Sequence, residues 1–260
     1  MVAGRAGHTE VGRIICVANQ KGGVGKTTTA VNLAYLAATT GRRTTLWDLD
    51  PQGASTHLLG GAANPRASAR KLVSGKRTLT ELIAPTPYER LDLLPADLSY
   101  RDFDIHMSER KHRTGQLLKM SRALREHCDT LVLDCPPGMS LLSENVLLAA
   151  DAIIVPVPPA PLSLRMLEQL FEFAAQSGWT DLPILPFFSM VDRRKSLHEE
   201  TIASARARFP LILQTEVPYW SEIERMTVRR APLPAFAPRS PAAQVYAQLW
   251  AEIEARLPDP

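Results

Sequence analysis

The stretch Asn19-Gln-Lys-Gly-Gly-Val-Gly-Lys-Thr-Thr-Thr29 constrains the fold more than any other part of this chain. A short apolar run, Ile14 to Ala18, precedes it and reads as a buried strand. Behind it, Val31, Leu33, Ala34, Leu36 and Ala37 can line one face of a helix. Strand, glycine loop and helix in that order make a phosphate cradle, because backbone N–H groups and the helix N-terminus are then aimed at polyphosphate oxygens. Gly22, Gly23 and Gly25 put no Cβ in the way of that approach. Lys26 supplies a point charge for the β and γ phosphates, and the Thr27 hydroxyl is placed to ligate Mg²⁺.

An ordinary loop of this kind has no second lysine, and this one has Lys21. The run Lys-Gly-Gly-Val-Gly-Lys-Thr resembles the deviant Walker A motif of the ParA/MinD ATPases. The resemblance implies that Lys21 reaches across a homodimer to the partner's ATP, beside a nucleotide-binding set of Gly22, Gly23, Val24, Gly25, Lys26, Thr27 and Thr28. The residue-level alternative is a solvated loop charge.

Two further strands end in aspartate. Thr44 to Trp47 reads as a strand running into Asp48-Leu-Asp50-Pro-Gln52, and Thr130 to Leu133 is an apolar run ending at Asp134-Cys-Pro-Pro. Parallel strands deliver ligand-contacting residues at their carboxyl ends, and a buried strand can hold its terminal carboxylate near a hydrated metal. Both stretches resemble family signatures. By that match Asp50 positions or activates the attacking water, Asp48 supports the magnesium–water network and Asp134 holds Mg²⁺ through water. A strand-end turn or cap is the bland reading of each.

Strands alternating with helical patterns along the rest of the chain predict an α/β fold, a doubly wound, mostly parallel sheet with helices on both faces. Helices are expected at Gly115 to Glu126, Leu141 to Ala150 and Leu164 to Ala175, with strands at Leu91 to Pro95, Ala152 to Val155 and Ile184 to Ser189. Pro156, Pro158, Pro159 and Pro161 are expected to interrupt regular structure. The 260 residues read as a single ATPase domain at 13–257, flanked by tails at 1–12 and 258–260.

Apolar residues at 45% and charged residues at 22% are ordinary for a globular protein, and no run reaches the roughly 18 to 20 apolar residues of a membrane-spanning helix. The N-terminus lacks a signal-peptide h-region. Cys16, Cys128 and Cys135 read as isolated in sequence, which suggests neither a disulfide framework nor a metal cluster and favours a reducing, cytoplasmic setting.

A net charge of +3 is too small to name a partner, so its distribution matters more. Residues 51–80 hold no acid while Arg66, Arg70, Lys71, Lys76 and Arg77 fall close together, a pattern read first as a solvated loop. Later, Val191-Asp-Arg-Arg-Lys195 resembles a family loop near the adenine, which would place Asp192 there; capping of a helix by Asp192 or Ser196 is the alternative. Val217-Pro218 resembles the family's Ile-Pro turn and puts Pro218 with the nucleotide. The likeness covers Arg13 to Leu257 and departs at Tyr219 to Arg230, where Tyr219-Trp220 and Arg225-Met226 stand in place of the family pattern.

Partition ATPases of this family bind nonspecific DNA as ATP-bound dimers, and a ParB-like or other cargo adaptor stimulates their hydrolysis. By resemblance the chain is expected to be nucleoid-associated, with Arg225, Arg229 and Arg230 as its DNA contacts. Trp220, Tyr246 and Trp250 could stack on bases, with packing the stronger reading. A MinD-like membrane ATPase would need a basic amphipathic C-terminal helix, and Glu252 and Glu254 argue against one. A small-molecule ligase or kinase on the same scaffold is the other alternative.

Overall fold

All five residues of β1 (Arg13–Val17) are buried, as are those of β2 (Thr44–Asp48) and β5 (Thr130–Asp134). Strands covered on both faces read as continuous apolar runs, and these are the runs the sequence shows. The computed structural model describes residues 12–64, 67–138, 140–179 and 181–257. Residues 1–11 and 258–260 of the expected tails, and Arg66 of the basic run, lie outside the described residues. Gly12, grouped above with the tail, is instead part of the fold: its N–H donates to the Arg125 carbonyl at 3.0 Å, and a Cβ would sit 1.9 Å from the Cys128 carbonyl oxygen.

The remaining strands are β3 (Ala84–Pro85), β4 (Leu91–Leu94), β6 (Ala152–Val157), β7 (Ile184–Val191) and β8 (Glu216–Pro218). They form one sheet in the order β3-β4-β2-β5-β1-β6-β7-β8, in which β3 runs antiparallel to β4 and every other pair is parallel. Register aligns Val17 with Asp134, and Asp48 with Asp134, so three strand ends open onto one crevice.

Helices cover both faces. One face carries α3 (Ala69–Val73), α4 (Phe103–Ser108), α5 (Gln116–His127), α6 (Leu141–Ala149), α7 (Pro161–Gln176) and α8 (Ser196–Arg208), joined by an apolar cluster containing Leu72, Phe103, Leu117, Val146, Leu167 and Ile202. The other carries α1 (Lys26–Thr39), α2 (Ala54–Leu58), α9 (Ser221–Arg229), α10 (Leu233–Phe236) and α11 (Pro241–Glu254) around Val31, Leu58, Met226, Leu233 and Trp250. Tyr246, Leu249, Trp250 and Ile253 of α11 are buried in that cluster. The packing reading of Tyr246 and Trp250 therefore holds.

Two expectations need correction. Pro156 does not break β6. Proline is tolerated where no ladder donor is required, and β1 ends opposite Ile154, so at Pro156 only the carbonyl finds a partner, the Asn19 amide at 2.8 Å. Pro161 opens α7 from its first turn, where a missing N–H costs nothing. Likewise, residues 51–80 are not simply a solvated loop. They contain α2 and α3, and Leu58, Leu59, Leu72, Val73 and Leu79 are buried.

Candidate nucleotide site

Between β1 and α1 the chain makes a cradle held from behind. Asn19 staples it, donating to the Pro156 carbonyl at 2.8 Å and accepting from the Lys21 N–H at 2.9 Å. Ser189 on β7 donates to the Val24 carbonyl at 3.0 Å. Gly23 and Gly25 sit at φ of 70° and 91°, the left-handed region that glycine enters without strain. Gly22 carries no such constraint. A Cβ there would meet no protein atom within 4 Å, and the residue lines the cavity.

The two lysines differ in environment. Lys26 is buried, and its ammonium donates to the Lys21 carbonyl at 3.0 Å. Burial lowers its pKa, against the pull of Asp134 and Asp50. Such a desolvated cation gains strongly from an incoming anion. Lys21 is exposed, and its ammonium makes no hydrogen bond or ion pair within the chain among the described residues.

Three carboxylates face the cradle in different states. Asp48 is fully buried and spent on the chain: Oδ2 accepts from the N–H and hydroxyl of Thr56 at 2.7 and 2.8 Å, and Oδ1 from the Asp50 N–H at 3.2 Å. It shapes the turn carrying Asp50. That residue is half-buried, lines the cavity and uses Oδ1 to accept from the Gln52 N–H at 2.9 Å. Asp134 is fully buried; Oδ2 accepts from the Ser55 hydroxyl at 2.5 Å, while Oδ1 has no partner. Burial first, then the nearby Asp48 charge, pushes its carboxyl up to about 7. An orphaned carboxylate oxygen beside Thr27, Lys26 and an open cradle fits a hydrated Mg²⁺, which would relieve that strained ionisation. Ser55 and Thr56, which orient the two carboxylates, carried no signal in the sequence beyond following the second signature.

The cavity measures about 520 Å³ and runs from Gly22–Thr29 and Asp50 to Met190, Pro218, Tyr219 and Trp220. Pro218 is therefore part of it. Asp192 is not. It lies one residue past β7, and its carboxylate pairs with the Arg194 guanidinium at 2.8 and 2.9 Å, which holds its pKa far below the usual range. Nor does it cap α8, which starts after Lys195 with no side-chain cap. Met190, at φ of 56° where β7 and β8 slip register, takes the lining position instead. Trp220 stands at the cavity wall, and Tyr219 donates its hydroxyl to Glu224 at 2.8 Å.

Helix α9 closes this side. Ile223, Glu224, Met226 and Thr227 line the cavity, while Arg225 and Arg229 are exposed. Arg230 is also exposed but donates its Nε–H to the His57 carbonyl of α2 at 3.2 Å. A buried residue that the sequence reading passed over, Asn32, ties α9 and α10 to α1. Its amide donates to Thr28 O at 2.9 Å and to Met226 Sδ at 3.3 Å, and its carbonyl accepts from Leu233 N at 2.8 Å. Two of the cysteines read as isolated also meet: the sulfurs of Cys16 on β1 and Cys135, one residue past β5, lie 3.3 Å apart, both free thiols.

Comparison with known proteins agrees with this geometry. A family profile described as AAA domain matches residues 12–177. Soj of Bacillus subtilis, a sporulation initiation inhibitor protein, is 32% identical, covering 94% of this chain and 99% of its own. The chromosome-partitioning ATPase Soj of Thermus thermophilus is 36% identical over 94% and 96%. A Mycobacterium smegmatis structure described as cobyrinic acid a,c-diamide synthase, with bound ADP and magnesium, superposes with a TM-score of 0.79 at 26% identity, covering 94% of this chain and 95% of that one. The fold, the loop with its extra lysine and these relatives together make this chain a member of the ParA/Soj family of deviant Walker A ATPases.

Proposed function

We propose that the chain is an ATP-switched positioning protein that dimerises around Mg²⁺–ATP, holds nonspecific DNA in that state, associates with the nucleoid and releases when a cargo adaptor of ParB-like or other type stimulates hydrolysis. The observation that carries this reading is the division between the two loop lysines. Lys26 is buried and serves its own site. Lys21 is exposed on the same loop, its ammonium unpartnered among the described residues and available to a second copy.

Within one protomer the residues divide the work. Loop N–H groups of Gly22 to Thr28 and the Lys26 ammonium hold the phosphates. Thr27 and Asp134 Oδ1 would hold Mg²⁺ through its water shell, with Asp48 fixing the turn behind them. Bound there, the metal neutralises charge on the β and γ phosphate oxygens. Asp50, whose Oδ2 is not used by the turn, orients a water and can accept its proton.

The test is light scattering with a nonhydrolysable ATP analogue. Wild type should run as a dimer and Lys21→Ala as a monomer that still binds the analogue; a monomeric wild type would end the proposal. Asp50→Ala should dimerise and bind DNA with ATP yet turn over little, and normal turnover would remove Asp50 from its role.

Two other readings stay behind this one. The likeness to the synthase supports a ligase on the same scaffold, which would show ATP turnover stimulated by a small metabolite rather than by duplex DNA. For membrane attachment, the C-terminal helix is already committed, since α11 buries its apolar face against α1, and no helix among the described residues is long and apolar enough to cross a membrane.

A further inference from the structure

One concentration of charge is not used by the nucleotide site. Residues 51–80 contain no acidic side chain, and residues 110–125 contain none either. The fold sets the first against α4, which ends two residues before Arg110 opens the second. α3 and α4 pack through Leu72, Val73, Phe103 and Met107, and their outer edges frame an open groove of about 500 Å³. Arg70, Lys71 and Lys76 line one rim and His106 and Arg110 the other, with Glu109 the one acid among the described lining residues.

Arg70, Lys71, Lys76 and Arg110 are exposed and take part in no ion pair among the described residues. Arg77, next to them, is engaged by Glu81 at 2.8 Å. The rim holding Lys76 is set by a turn, in which the Lys76 N–H donates to the Lys71 carbonyl at 2.9 Å and Gly75 takes φ of 73°. Beyond Arg110, the loop is fastened by Asn145, whose amide donates to the Arg113 carbonyl at 3.0 Å. At the groove itself, His106 Nδ1 is buried and has no partner.

Sequence-independent DNA binding requires several cations on one surface, since affinity comes from displacing counterions at each phosphate. α9 supplies Arg225 and Arg229, but Glu222 and Glu224 share the helix and Arg230 already serves His57. The groove is better provided. Its lining includes a single aliphatic residue, Val73, so it lacks the apolar anchor that a protein segment needs and suits a chain of phosphates.

We propose that this groove binds the phosphodiester backbone of duplex DNA and supplies most of the contacts that α9 lacks. The inference rests on the DNA-binding reading above and adds a site to it. The test titrates a fluorescent nonspecific duplex with the full-length protein and ATP at several salt concentrations, comparing wild type, an Arg70→Ala/Lys76→Ala/Arg110→Ala triple variant and an Arg225→Ala/Arg229→Ala double variant.

Each lost phosphate contact lowers the salt slope by about 0.9, so the triple variant should lose about two to three units per protomer and at least about tenfold in affinity. ATP affinity and melting temperature should not change. Arg70→Lys/Arg110→Lys, which keeps the charges, should retain the slope. A triple variant that binds as wild type does would overturn the groove while leaving the DNA reading intact. Wild type that binds no duplex would overturn both. Loss of polyglutamate binding with duplex binding unchanged would overturn the groove's assignment in favour of an acidic protein partner.

Discussion

Asn32 is a polar side chain in the buried stripe of α1, fully shielded from solvent, bonded inside the protein to Thr28, Met226 and Leu233 and facing the Tyr246 hydroxyl. Replacing it by alanine leaves the Leu233 N–H buried with no acceptor. An orphaned buried donor costs about 1–3 kcal/mol. The vacated space adds a smaller cavity term, and the Thr28 carbonyl loses little, because it already serves the helix. The expected loss for Asn32→Ala is therefore about 2–3 kcal/mol, or roughly 5 to 10 °C in melting temperature for a chain of this size. Urea denaturation of the nucleotide-free protein, followed by far-UV circular dichroism, measures it. Met226→Leu is the control, removing only the weak sulfur acceptor, and should cost about 1 kcal/mol or less. Because Met226 and Thr28 also line the nucleotide cavity, Asn32→Ala should weaken ATP binding as well. A loss below about 0.5 kcal/mol, within the range of an unimportant surface change, would refute the argument that this amide fastens the helices.

Burial raises the Asp134 carboxyl to about 7 from the ordinary 3.8, so in the nucleotide-free protein its proton stabilises the fold fully below pH about 4, and that contribution is lost as pH rises through about 7. Melting temperature without nucleotide should fall between pH about 4 and 7 and level off above, and fall less in Asp134→Asn; Asp48, raised to about 6 by burial, would keep part of the trend, and identical profiles would exclude Asp134 as its source. Gly12→Ala places a methyl 1.9 Å from the Cys128 carbonyl oxygen, which only a backbone shift can relieve, so a loss of about 2 kcal/mol or more is expected in the same urea assay, and wild-type stability would show that Gly12 is not held there.

The strand ends could be read from the sequence because each is a fully buried run that stops where the pattern changes: Val17 before the glycine loop, and the carboxylates Asp48 and Asp134. The parts that could not be read depend on contacts far along the chain. α2 and α3 lack a helical pattern long enough to recognise; Tyr100, Phe103 and Met107 cover α3, while Leu58 of α2 is buried on the other face with Leu91, Leu93 and Met226. Cys16 and Cys135 are 119 positions apart and meet only because β1 pairs with β5. Asp192 was placed at the nucleotide by resemblance, but the slip in register between Ser189 and Val191 turns Met190 to the cavity, and Arg194 takes the Asp192 carboxylate. The departure of Tyr219-Trp220 from the family pattern was visible, whereas its place on the cavity wall required the fold.

The position of α9 gives that departure a physical meaning. Its inner face, Ile223, Met226 and Thr227, is a wall of the nucleotide cavity, and its outer face carries Arg225, Val228 and Arg229, with Val228 81% exposed. Two fasteners join it to elements that line the cavity: Asn32 on the helix that begins at Lys26, and the Arg230 bond to His57, seven residues beyond Asp50. Arg230 closes the helix at φ of 50°, a conformation glycine would adopt at lower cost. That strain is retained where its guanidinium reaches the α2 carbonyl. A displacement of the Asp50 turn or of the first turn of α1 therefore bears on α9 directly, without passing through the sheet. A relative lacking this helix would need another route to connect its nucleotide to the same surface.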